Sequence, residues 1–107
     1  MQNSQSNDGP VMEVVRFRLK AGNAEAAFLN AAKATETPLR AQRGFVRRAL
    51  TRAEDGFWTD HVIWSSMAMA GAGADAMMAE PAFQPFMAMI DGPTVSMRHD
   101  RIHWQMD

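Results

Sequence analysis

Gly56-Phe57-Trp58-Thr59-Asp60-His61-Val62-Ile63-Trp64-Ser65-Ser66 is the run around which the other elements of the chain can be placed. It reads as a central strand carrying two of the three tryptophans, with Trp58, Asp60, Val62 and Trp64 on one face at a spacing of two. Asp55-Gly56 lies between this run and another strand-like run, which predicts a hairpin. Ser65 and Ser66 then supply N-cap candidates for an alanine-rich and methionine-rich helix. A strand that delivers Trp64 to the start of a helix is placed to floor a pocket that the helix roofs.

Nearer the N-terminus, Val11 to Lys20 alternates, with Glu13, Val15, Phe17 and Leu19 on one side and Val14, Arg16, Arg18 and Lys20 on the other. This is the first strand. Gly22 and Asn23 end it, and Asn23 is the expected N-cap of a helix whose apolar stripe is Ala24, Ala27, Phe28, Ala31 and Ala32. Thr37-Pro38 breaks or kinks that helix, with Pro38 suited to open another short turn. Gly44 closes the helical region, and Phe45 to Arg52 makes a second strand rich in arginine. Beyond the central strand, Met67, Ala70, Gly71, Ala74, Met77 and Met78 form the stripe of the second main helix. Gly71 and Gly73 each cost that helix about 1 kcal/mol relative to Ala.

Pro81 and Pro85 interrupt this helix and make Phe83 to Ile90 a separate helical piece. Asp91-Gly92-Pro93 stops it, and Thr94 to Trp104 reads as the last strand, with Val95, Met97, His99, Arg101 and His103 on one face. The order strand, helix, strand, strand, helix, strand predicts an α+β fold of the ferredoxin-like split βαβ type. Its four-stranded antiparallel sheet has the first and third strands at its centre.

The composition narrows the function. The 107 residues predict one domain over 11–107 behind a loose tail over residues 1–10. A domain this small gains from covering a further face by self-association. A net charge of −1, from 11 basic and 12 acidic residues, lacks the electrostatic footprint of a nucleic-acid binder. The absence of cysteine excludes disulfides, thiolate metal sites and cysteine nucleophiles, and three histidines leave little for a metal. No metal or cofactor is expected. No stretch approaches the roughly 20 apolar residues of a membrane span, so the reading is a soluble cytoplasmic protein without a membrane partner.

Three segments carry a family resemblance: Val11-Met-Glu-Val-Val-Arg-Phe-Arg-Leu-Lys-Ala-Gly22, Arg43-Gly44-Phe45, and the run from Trp58 to Ser66. Together they resemble the dimeric α+β barrel superfamily, specifically its antibiotic biosynthesis monooxygenase (ABM)-like branch. The resemblance implies a homodimer in which two four-stranded sheets face each other as a barrel, with a ligand cavity between each sheet and its own helices. It also implies that Val15, Phe17 and Leu19 face the helices and carry Glu13 into the cavity, while Arg16 and Arg18 face the barrel interior. Haem-degrading relatives need a histidine on the second helix, and residues 66–90 contain none. Cofactor-free oxygenases of the family act on polycyclic aromatic compounds, but this chain has no tyrosine, so any tyrosine-dependent chemistry does not carry over.

Within that frame Glu13 is the sharpest polar signal. A carboxylate on an otherwise apolar strand face can act as a general base or acid; the alternatives are an ion pair with Arg101 or a solvated strand edge. His99 falls opposite Val15 and diagonal to Glu13 if the first and last strands pair about their middles, and a Glu13–His99 couple could move a proton. The competing reading of His99 is a hydrogen-bonded core histidine. Val15, Phe17, Asp60, Val62, Trp64, Met78, Phe83 and Phe86 are the expected pocket residues, with Trp64 as an aromatic wall and the methionines able to adapt to an irregular apolar ligand. Two functions follow. One is a cofactor-free monooxygenase-type or proton-transfer enzyme acting on a small aromatic or polycyclic compound. The other is a non-catalytic binding protein for a small apolar ligand.

Overall fold

The computed structural model describes residues 9–107. Among these, β1 (Val11–Phe17), β2 (Phe45–Arg52), β3 (Trp58–Trp64) and β4 (Ser96–Arg101) form an antiparallel sheet in the order β2-β3-β1-β4. Four helices accompany it: α1 (Glu25–Lys33), α2 (Glu36–Arg40), α3 (Met67–Met78) and α4 (Gln84–Ala88). The result is an α+β, ferredoxin-like arrangement with β1 and β3 at the centre of the sheet. The tail expected over residues 1–10 lies, for residues 1–8, outside the described residues. Pro10, by contrast, accepts a hydrogen bond from the Ile102 amide at 3.0 Å.

Local chemistry explains the element boundaries. At the hairpin, Gly56 takes a φ of +91°, which a side chain would strain, and Asp55 accepts from the Phe57 amide at 3.0 Å. Ser66 caps α3 by accepting from the Met69 amide at 3.1 Å. Asn23, however, is not the cap of α1. That position falls to Ala24, and the Asn23 amide instead donates to the carbonyls of Lys20 and Met89. The helical break comes at Ala34 and Thr35, so Pro38 sits in the first turn of α2, where its missing N–H costs nothing.

The first and last strands are both shorter than their alternation suggests. After Phe17 the chain turns from the sheet towards the α4 segment: Leu19 bridges Ile90, and the Lys20 amide donates to Met89. The last strand begins at Ser96 because Gly92–Thr94 forms a 3-10 turn, with Thr94 Oγ1 donating to Asp91 O and accepting from the Arg18 amide. It ends at Arg101 because β1, its neighbour, begins only at Val11.

The core lies between the sheet and the helices in two clusters. Val11, Val62 and Trp64 of the sheet meet Leu39, Ala70 and Met77. Phe17 and Trp58 meet Phe28, Ala31 and Phe86, with Phe28 stacked on Phe86 at 4.9 Å and edge-on to Trp58 at 5.0 Å. The candidate site lies under α3 and α4, against both clusters.

Candidate functional site

A cavity of about 360 Å³ is floored by β1 and β3 and roofed by α3, the Pro81–Phe83 turn and α4. Val15 and Phe17 of β1 and Asp60, Val62 and Trp64 of β3 contribute to its floor, and Phe83 and Phe86 to its roof. Met78 lies at its margin with 55% of its surface exposed. The buried face of α3 is Ala70, Gly73 and Met77, not the wider stripe that includes Met67 and Met78. Gly73 sets this rotation, because its missing side chain leaves room for the six-membered ring of Trp64.

At the floor, Glu13 is 7% exposed and its Oε1 accepts a hydrogen bond of 2.8 Å from Trp64 Nε1. The pairing register accounts for this. Glu13 stands opposite Val62 and Trp64 opposite Val11, so the two side chains are diagonal neighbours on one face. The bond satisfies a buried indole donor and one carboxylate acceptor site, leaving the carboxylate further lone pairs.

His99 stands directly opposite Glu13 on β4, not opposite Val15. Because both strands are shorter than the sequence suggests, their middles pair two residues away from the expected register, Val14 standing opposite Arg98, a shift that keeps His99 on the helix-covered face. His99 is close to Glu13 across the strands but is not part of the cavity wall. Its Nε2 is buried and has no hydrogen-bond partner among the described residues. Arg101 stands opposite Val11.

Residue-by-residue reading of the sequence did not single out Arg48. Its Nε and Nη2 donate to the two oxygens of Asp60 at 2.9 and 2.8 Å, and its Nη1 donates to Thr35 Oγ1 at 2.7 Å. Thr35 Oγ1 in turn donates to the Ala32 carbonyl at 2.6 Å. Arg48 reaches the cavity because the β2–β3 pairing is irregular between Phe45 and Arg47, so that Phe45 faces Trp64 and Arg48 faces Val62. Strict alternation from Phe45 would have turned Arg47 inward. No group of three His, Asp or Glu side chains among the described residues is arranged to hold a metal ion, and no described helix is long and apolar enough to cross a membrane.

A four-stranded antiparallel sheet with its helices on one face, and an apolar cavity between them, is the fold of ABM-like proteins. The chain resembles the cofactor-independent oxygenase SnoaB of Streptomyces nogalater, in a variant form, with a TM-score of 0.68 and 22% identity over 91% of this chain and 96% of that one. It resembles Rv0793 of Mycobacterium tuberculosis with a TM-score of 0.66 and 19% identity, over 92% of this chain and all (100%) of the other. A candidate antibiotic biosynthesis monooxygenase of Nitrosomonas europaea gives a TM-score of 0.71 at 11% identity, over 94% of this chain and 96% of that one. No family model matches the chain, and no curated protein matches it in sequence.

Proposed function

We propose that the chain is a cofactor-independent, monooxygenase-type enzyme that takes a proton from a small aromatic or polycyclic compound held in this cavity. The observation that carries the proposal is the buried Glu13 carboxylate at the floor of an apolar cavity, oriented by the Trp64 indole. Glu13 is the proton acceptor, Trp64 both orients it and forms the aromatic wall, and His99 is the neighbouring group able to pass the proton onward. Removing a proton from an acidic C–H leaves a carbanion delocalised over the rings. Such a carbanion is electron-rich enough to react with O2 directly. The name of SnoaB, a cofactor-independent oxygenase with the same fold, supports this choice among reaction types.

A second reading, a non-catalytic binding protein for a small apolar ligand, is favoured by the engagement of Glu13 with Trp64 and by the absence of His99 from the cavity wall. In either reading the working form is a homodimer whose two sheets face each other. Oxygen uptake and solvent-deuterium exchange with 2-tetralone, an enolisable aromatic ketone, separate the readings. Uptake or exchange that disappears in Glu13→Gln supports the enzyme. Binding with neither uptake nor exchange leaves only the binding protein.

A further inference from the structure

We infer that Arg48 fixes the orientation of the ligand, selecting among apolar compounds those that carry a hydrogen-bond-accepting oxygen at one edge. The inference rests on the proposal that the cavity is a ligand site. A guanidinium has five N–H donors and no acceptor. Asp60 takes two of them and Thr35 a third, which leaves one N–H on Nη1 and one on Nη2. The guanidinium lies at the cavity wall, its central carbon 5.2 Å from the Phe86 ring centroid.

The other polar side chains of the wall cannot take this role. Glu13 and Asp60 accept, and the Trp64 N–H is already given to Glu13. The remaining lining side chains are apolar. Among the described lining side chains, Arg48 is therefore the one with donors to spare. A ring carbonyl or phenolate oxygen buried anywhere else in the cavity loses its hydrogen bonds to water without replacement, or faces a carboxylate. Against Arg48 it gains a charge-assisted bond from a planar head that Asp60 and Thr35 already hold in place.

The register then sets what the opposite edge of the ligand meets. Asp60 stands opposite Val15, one diagonal step of roughly 7–8 Å from Glu13, and Arg48 lies beyond it, across Val62 from Glu13. A ligand with its oxygen on Arg48 presents its far edge to the Glu13 carboxylate.

The test compares 1-tetralone, whose oxygen can only accept, with the hydrocarbon tetralin, by calorimetric titration of the intact protein. In Arg48→Met, the preference for 1-tetralone over tetralin should fall about tenfold relative to wild type, the usual effect of losing a hydrogen bond to a charged group. Retained tetralin binding shows that the cavity persists. An unchanged preference overturns the role of Arg48 while leaving the cavity as a ligand site. Failure of both compounds to bind the wild-type protein overturns the ligand site and Arg48's role together. If Arg48→Met does not fold, Arg48→Lys decides: it keeps a charge beside Asp60 but loses the planar fork, so the preference should fall severalfold, and an unchanged ratio again overturns the assignment.

Discussion

Gly73 packs against the six-membered ring of Trp64: a Cβ added at position 73 would overlap Trp64 Cη2 and Cζ3. Both partners are held, Trp64 by its bond to Glu13 and Gly73 by the α3 backbone, so neither side yields cheaply. Gly73→Ala should therefore destabilise by about 1–3 kcal/mol through overpacking, more than the helix propensity it gains. Gly71, in the same helix, has nothing within 4 Å of the corresponding point. Gly71→Ala should stabilise by about 0.5–1 kcal/mol. Urea unfolding of the pair gives opposite signs if the Trp64 contact governs; a stabilising Gly73→Ala would remove it.

The Trp64–Glu13 bond predicts different outcomes for its two ends. Trp64→Phe keeps most of the aromatic wall but leaves a buried carboxylate without its donor, a cost of about 1–3 kcal/mol by chemical denaturation. Trp64→Ala removes the wall as well and should cost about 3–5 kcal/mol and weaken apolar ligand binding strongly. Glu13→Gln retains an oxygen that can accept from the indole, so it should spare ligand binding. Its loss of turnover would mark Glu13 as the proton acceptor, and undiminished turnover would assign that task elsewhere.

The Arg48–Asp60 pair is largely buried, with side chains 15% and 11% exposed. Removing one charge leaves the other buried and uncompensated, so Asp60→Leu should destabilise by about 3–5 kcal/mol. Arg48→Met with Asp60→Leu should recover most of that loss, because a hydrophobic pair can replace a buried ion pair at little cost. A double variant as unstable as Asp60→Leu alone would show that the pair acts through Thr35 and the α1–α2 junction instead.

Much of the fold was legible because it rests on local chemistry. Ser66 caps α3, Asp55-Gly56 makes the hairpin, and prolines 81 and 85 separate α3 from α4. What escaped depends on register and close approach. The irregular pairing after Phe45 redirects Arg48 inward, and nothing in the run of β2 arginines distinguishes it from Arg47. Gly73 reads as a propensity cost in the sequence and becomes a packing requirement only once Trp64 is placed beneath it. The β1–β4 register, two residues from the one expected for longer strands, places His99 against Glu13, whereas alternation alone fixes the face and not the partner.

The homodimer is the last expectation, and it concerns the side of the sheet that faces away from the helices. Met12, Val14 and Arg16 of β1 point away from the helices, beside Ile63, His61 and Thr59 of β3 and Asp100, Arg98 and Ser96 of β4. Val14 and Ile63, at the centre of that side, are already only 7% and 5% exposed within the chain, so a second sheet would cover the half-buried Met12, Thr59 and His61 around them and leave the charged residues to pair at the rim. Sedimentation at low micromolar concentration should give twice the 11.9 kDa chain mass. Thr59→Arg, at a half-buried position opposite Arg16, adds a like charge to that side, and at a two-fold interface it does so twice. That variant should sediment as a folded monomer where the wild type is dimeric. A wild-type protein that is monomeric and fully folded at the same concentration would rule out the facing-sheet dimer, and the cavity, enclosed by one chain's own sheet and helices, would still stand.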